Sequence, residues 1–269
     1  GWSDLGCYGG EIETPNIDAL AEQGMRFSQF YNTSKCMPSR ACLLTGVYAQ
    51  QCNMSRNPIN ILNAVTLGEV LKTAGYRTYA SGKHHGTENL FERGFDHYYG
   101  LRDGACNFWN PGEQRPGEPP PGNKGRIRHW CDDSTTYAPY TPEDLDFYAT
   151  DAFTDKALRW LDEKELESQP FFLYLAYNAP HYPLHAWPED IEKYKGRYDA
   201  GYEAVRAARY KRMVQSGLID PAKNPLPEWD GASWDALEPV EREKEKRRME
   251  IYAAMLDRVD QNIGQLIRK

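Results

Sequence analysis

Cys36-Met37-Pro38-Ser39-Arg40-Ala41-Cys42-Leu43-Leu44-Thr45-Gly46 lies between an expected strand and an expected short helix. A cysteine at a helix start has unpaired amides and the positive end of the helix dipole beside it, and Arg40 follows one turn on. That setting suits an anion. A free cysteine is also a common small buried hydrophobe, so local chemistry alone leaves both readings open. Lys83-His84-His85 sets a cation beside two imidazoles. In extended backbone neighbouring side chains face opposite ways, so only one of the two histidines can face a site. A lysine taken alone is normally a solvated surface residue. His181 follows an expected buried strand at its carboxyl end, which is where open α/β sheets place their ligands.

The Cys-x-Pro-Ser-Arg run with its following Leu43-Leu44-Thr45-Gly46 resembles the signature of the type I sulfatases, within the alkaline-phosphatase-like superfamily. The flanks agree. Gly1-Trp2-Ser3-Asp4-Leu5-Gly6 with Thr14-Pro15-Asn16-Ile17-Asp18 is similar to that family's opening segment. Gly82-Lys83-His84-His85-Gly86 resembles its second motif, and Ala179-Pro180-His181-Tyr182-Pro183 its third. The four stretches occur in family order over residues 1–185, and the last helix matches less sharply.

The resemblance implies that Cys36 is oxidised by a formylglycine-generating enzyme, and that the hydrated aldehyde attacks a sulfate ester. Covalent catalysis of this kind splits one hard step into two easier ones. A plain thiolate would leave a thiosulfate ester for water to cleave, whereas a geminal diol can eliminate sulfate internally. By the same resemblance Arg40 holds the residue-36 hydroxyl and balances charge near a metal. Lys83 contacts the sulfate, His85 assists the elimination, and His181 faces the leaving oxygen as a contact or proton donor. Ser39 and Thr45 orient the motif. His84 occupies a position the family usually fills with an aromatic.

The family's metal, Ca2+ or Mg2+, is implied to sit on carboxylates upstream of Gly1 and on an Asp-Asn pair and a Lys beyond the last helix. Within these residues only Cys36, as formylglycine, would touch it. A hard divalent cation takes about six oxygens, so the expectation is a partial sulfatase catalytic domain over residues 1–269, an interior slice that is inactive or incomplete alone. Two rivals remain. One is a phosphatase or phosphodiesterase of the same superfamily, which usually uses Ser or Thr and two zinc ions. The other is a sulfatase-like module that binds sulfated glycans without turnover. The substrate is a sulfated carbohydrate or an aryl sulfate. The family also implies a periplasmic or secreted location.

Composition fits a soluble globular chain, with 40% apolar and 26% charged residues among 269. The net charge of −7 argues against a nucleic-acid partner, which needs a basic face. No run approaches the roughly 18 apolar residues that span a bilayer. The 6 cysteines show neither CxxC pairs nor zinc spacing.

Strand and helix patterns alternate. Thr14 reads as an N-cap with Pro15 at the first helical position, and Gly24 as that helix's end. Met25–Tyr31 alternates like a strand. Thr66 caps a second helix that ends at Gly75, and Tyr76–Ala80 reads as the next strand. Residues 100–140, crowded with Pro and Gly, read as a long irregular insertion near the site. Its Trp109, His129 and Trp130 can stack on a sugar or pack the loop down. A helix follows from about Asp144, then a strand at Phe171–Ala176 buried on both sides. A polar stretch over 182–239 precedes a final helix from about Val240. This grammar implies an α/β fold with a largely parallel sheet flanked by helices.

Overall fold

The computed structural model describes residues 1–56, 60–118, 126–162 and 168–269. In chain order its elements are α1 (Pro15–Gln23), α2 (Cys36–Thr45), α3 (Leu67–Thr73), β1 (Arg77–Gly82), β2 (His97–Leu101), β3 (Trp130–Asp132), β4 (Thr135–Tyr137), α4 (Ala149–Leu161), β5 (Phe171–Ala176), α5 (Pro188–Glu192), α6 (Gly201–Gln215) and α7 (Pro239–Arg268). Contacts divide the chain into two compact units, one over 31–183 and one joining 1–30 to 184–268.

The first of these carries the sheet, ordered β4-β3-β2-β1-β5. β1 runs parallel to both β2 and β5, while β3 and β4 add an antiparallel hairpin on the far side of β2. The α/β class stands, but the sheet is mixed rather than largely parallel. β1 is an interior strand, between β2 and β5, and is buried from Thr78 to Gly82. α3 and α4 both pack on β1, and α4 turns Phe153, Ala157 and Trp160 inward. Phe171–Ala176 forms β5 as expected, yet it is an edge strand with half-buried side chains, not one covered on both sides.

The 100–140 stretch is not irregular throughout, because it supplies β3 and β4. Trp130 explains why. It is fully buried and stacks on Tyr140 at 5.0 Å and Phe153 at 5.3 Å between ring centroids. Aromatic burial of this size anchors a strand of only a few residues. Pro119-Pro120-Pro121-Gly122 lies outside the described residues.

α3 starts as its sequence predicts. Thr66 Oγ1 accepts the Glu69 amide at 3.1 Å, and Glu69 Oε2 accepts the Thr66 amide at 2.6 Å, a reciprocal capping box. Thr66 also donates to the Arg93 carbonyl at 2.7 Å. Thr66→Ala is expected to cost about 1 kcal/mol and to lower the melting temperature by about 2–4 °C. An unchanged thermal transition would show the box to be idle.

Met25–Tyr31 forms no strand among the described residues. Met25, Phe27, Phe30 and Tyr31 are all exposed. An alternating pattern fits a pleated, half-buried surface, but a strand also needs a neighbour to bond with.

In the other unit, α1 begins at Pro15 without help from the Thr14 side chain. Thr14 Oγ1 instead accepts from the Gly6 amide and donates to Asp18, at 2.9 and 3.0 Å. The cap comes from far along the chain. Asp260 on α7 accepts the amides of Asn16 and Ile17 at 3.2 and 2.8 Å. A carboxylate there meets unpaired N–H groups and the positive helix end together. Gly264 permits the close approach, since a Cβ on it would lie 2.4 Å from the Asn16 side chain. Gly24 ends α1 in extended backbone rather than as a left-handed cap.

The 182–239 stretch holds α5 and α6, which its polar composition concealed. α6 is held by charge: Arg209 donates to Glu11 at 2.5 and 2.6 Å and to Asp4 at 2.6 Å. Among the described residues no helix is long and apolar enough to cross a membrane.

Candidate active site

The residues singled out in sequence fall at the N-terminus of α2 and just beyond the carboxyl ends of β1 and β5. α2 opens at Cys36 and closes on Gly46, whose φ of 71° is the left-handed conformation that favours glycine. Arg40 ties this helix to the sheet. Its Nη1 donates to the Lys83 carbonyl at 2.8 Å, just beyond β1, and its Nη2 to the Tyr177 carbonyl at 2.9 Å, just beyond β5. These two bonds brace the motif against the sheet. Ser39 Oγ donates to the Lys35 carbonyl at 2.7 Å, and Thr45 Oγ1 to that of Ala41 at 2.7 Å, so both work within the helix.

Beyond β1 the backbone stays pinned on both sides. The Lys83 amide bonds to Ala176 at 2.7 Å, and those of His84 and His85 to Leu101 and Arg102 at 2.9 Å each. The two histidines diverge. His84 is buried with Nε2 3.3 Å from Glu88 Oε1. His85 brings Nδ1 to 3.1 Å from Cys36 Sγ. It does so at φ 67°, a conformation costly for a residue with a Cβ. Gly104 makes room for the ring, since a Cβ there would lie 2.5 Å from His85 Nε2. Gly104→Ala is therefore expected to push the imidazole off Cys36 and lower kcat/KM on a sulfate ester by about 10²-fold. Wild-type turnover in that variant would show that His85 is not needed where it stands.

Electrostatics tighten the cluster. Lys83 is 2% exposed. Burial, with the Arg40 guanidinium beside it, lowers its pKa from 10.5 to about 8, and Cys36 pulls in the opposite direction. Burial also lowers His85 to about 3, helped by Lys83, Arg40 and Arg126 and opposed by Asp103. The imidazole is thus neutral at any ordinary pH. His181 is shifted down by burial and by the charges of Lys83, Arg115 and Arg40, so it lies within their reach. Its Nδ1 contacts the Tyr182 carbonyl at 2.7 Å, which leaves Nε2 as its outward nitrogen.

Two further features were not read from sequence. Cys106 lies behind the cluster, fully buried, with a thiol pushed up to about 12 by burial and within the field of Lys83. Asp103 lies beside His85 and takes the ring Nδ1 of His129 at 3.0 Å. A lone Asp in a Gly-rich loop carries no signal of that partnership. Of the three side chains proposed as sugar platforms, Trp130 is core and Trp109 packs on Tyr148 at 4.7 Å, leaving His129 a third exposed.

Among the described residues no group of three or more His, Cys, Asp or Glu side chains can hold a metal ion. With about six oxygens required, the side chains present do not by themselves fit Ca2+ or Mg2+. Formylglycine is a different case. A side chain at a helix start, flanked by a buried cation and a neutral imidazole, suits a hydrated aldehyde and the sulfate it would carry.

Comparison with known proteins agrees with the motifs. The sulfatase family model matches residues 1–269. The arylsulfatase of Klebsiella aerogenes is 33% identical over 99% of this chain and 59% of its own length. An uncharacterized sulfatase of Schizosaccharomyces pombe is 36% identical over 99% of this chain and 52% of its own. The crystal structure of Ps i-CgsB, at 27% identity, superposes with a TM-score of 0.67 over 100% of this chain and 52% of that one. A putative sulfatase from Bacteroides fragilis, at 20% identity, shares the fold with a TM-score of 0.65 over 98% and 54%. The chain spans about half the length of the relatives it matches. From its opening segment to its last helix, it belongs to the sulfatase family.

Proposed function

We propose that these residues form the part of a sulfatase catalytic domain that carries the reactive residue and its immediate partners, and that the protein hydrolyses sulfate esters through a formylglycine made from Cys36. The observation that carries this reading is the meeting of Cys36 with His85 at 3.1 Å beside a buried Lys83. Family membership supports the reaction class.

When installed, formylglycine supplies a hydrated aldehyde with one hydroxyl to attack sulfur and a second to expel sulfate. The chain's own residues divide the remaining work. Protonated Lys83 meets the negative charge that builds on the sulfate oxygens, in a site dry enough to strengthen the attraction. His85, neutral, accepts the hydroxyl proton at Nδ1, the atom now facing Cys36 Sγ. Arg40 holds α2 against the ends of β1 and β5 so that residue 36 stays in line. His181 presents Nε2 towards the leaving oxygen.

The proposal includes two further elements from the family: a formylglycine-generating enzyme as modifying partner, and a periplasmic or secreted location. The test compares 4-nitrophenyl sulfate with 4-nitrophenyl phosphate, using the protein as its host makes it. Turnover selective for the sulfate is expected. Preference for the phosphate would move the protein to the phosphatase side of the superfamily, and binding of sulfated glycans without turnover of either ester would make it a recognition module.

A further inference from the structure

We propose that Asp103, His129 and Arg126 form a subsite beside His85 for the hydroxyls of a carbohydrate leaving group, so that the preferred ester is a sulfated sugar rather than an aryl sulfate. This rests on the sulfatase reading of Cys36 and adds the substrate class.

Residues 102–104 line the catalytic imidazole. Arg102 accepts the His85 amide at 2.9 Å, and Gly104 lies against its ring. Asp103, between them, is 6% exposed. Its carboxylate accepts the His129 amide at 2.6 Å, His129 Nδ1 at 3.0 Å and an Arg126 terminal nitrogen at 2.8 Å. The Arg102 amide returns a bond to the His129 carbonyl at 3.0 Å. Arg128 Nε adds another to the Ala105 carbonyl at 2.7 Å. The 126–129 strap is therefore fastened to the loop that touches His85. Arg126 and Asp103 also act on the His85 ring with opposite sign, which places them within electrostatic reach of the reacting centre.

The chemistry of the exposed atoms follows from these bonds. In the tautomer that donates Nδ1–H to the Asp103 carboxylate, His129 leaves Nε2 as an acceptor. Its ring is 35% exposed and the Arg126 side chain 56%. Arg126 commits one nitrogen to Asp103 and keeps other N–H donors of its planar fork. An acceptor beside a donor fork matches neighbouring ring hydroxyls, each of which donates and accepts. A phenyl leaving group offers neither. Asp103 is thus a positioning residue: it fixes the His129 tautomer and aims Arg126.

The experiment measures kcat/KM for 4-nitrophenyl sulfate and for a panel of monosulfated hexoses and N-acetylhexosamines. It uses wild-type protein co-produced with a formylglycine-generating enzyme, and the variants Arg126→Ala, His129→Ala and Asp103→Asn. Each variant is expected to lower the sugar-to-aryl ratio of kcat/KM by about 10- to 100-fold, as leaving a substrate hydroxyl unpaired does. The loss should appear mainly in KM, because these contacts bind the leaving group in ground and transition states alike. Arg126 is exposed, so its variant keeps the ratio readable if His129→Ala folds poorly. An unchanged ratio, or a wild type that cleaves the aryl ester and no sugar, overturns the subsite and leaves the sulfatase reading intact. A wild type inactive on both esters overturns that reading, and the subsite with it.

Discussion

Cys36→Ala abolishes sulfate-ester hydrolysis, lowering kcat by about 10⁴-fold or more as removal of a covalent nucleophile does, while the fold persists. The two halves of that expectation come from one geometry. Cys36 is only half-buried and its side chain contacts His85 at 3.1 Å. α2 is held instead by Met37, Ala41 and Leu44 in the core and by Arg40 on two carbonyls. Deleting one thiol leaves all of these in place. Unmodified cysteine is predicted to be nearly as inert as alanine, because a thiosulfate ester on Sγ has no second hydroxyl to expel the sulfate. Mass spectrometry of the Cys36 peptide reports the modification directly, since formylglycine is lighter by two hydrogens and by the difference between sulfur and oxygen. Across preparations made with and without the modifying enzyme, activity should rise in proportion to the converted fraction. Full activity in protein whose Cys36 is unmodified would sink the mechanism.

The parts of this molecule that were legible in sequence are those where local pattern and final environment agree. Thr66 and Glu69 sit three apart and form their capping box within one turn. β1, β5 and α4 announced themselves by apolar periodicity, though the start of α4 was placed early, at Asp144 rather than Ala149. The Cys36 motif and Lys83-His84-His85 were legible as motifs, but the left-handed backbone that carries His85 to Cys36 was not. What could not be read depended on partners distant in the chain. Thr14 holds the N-cap position of α1 as read, but the side chain that caps the helix is that of Asp260. β3 is a three-residue strand held by the stacking of Trp130, which no window of sequence reveals. Met25–Tyr31 has a strand's pattern but forms no strand among the described residues. α6 carries Arg206, Arg209, Lys211 and Arg212 in one helix, and its ion pairs with Asp4 and Glu11 replace the apolar stripe that would have disclosed it. In the site, the bonds from Arg40 to the carbonyls of Lys83 and Tyr177 join positions 43 and 137 residues apart, which no local pattern discloses.

Lys83 links activity and stability to pH with opposite preferences. Its pKa is lowered from 10.5 to about 8, so the ammonium that meets the sulfate is lost as pH rises through about 8. kcat/KM should therefore fall on the alkaline side with that midpoint. His85, lowered to about 3, adds no acid limb in the working range. Lys83→Ala is expected to cost about 10²–10³-fold in kcat, the size of losing one charge-stabilising donor. Lys83→Arg should keep part of the activity and move the alkaline limb upward, because guanidinium stays charged. Stability runs the other way. A lowered lysine pKa means that the folded state disfavours the charged form, so the penalty is full below about pH 8 and fades between there and 10.5. A displacement of that size corresponds to about 3 kcal/mol. Lys83→Met, which keeps the apolar stem and removes the charge, should raise the melting temperature at neutral pH while it lowers turnover as Lys83→Ala does. Near pH 10.5 the two proteins should melt closer together. A Lys83→Met protein that is less stable at neutral pH, or an alkaline limb unmoved in Lys83→Arg, would show that the ammonium is a structural charge and not the group that meets the sulfate.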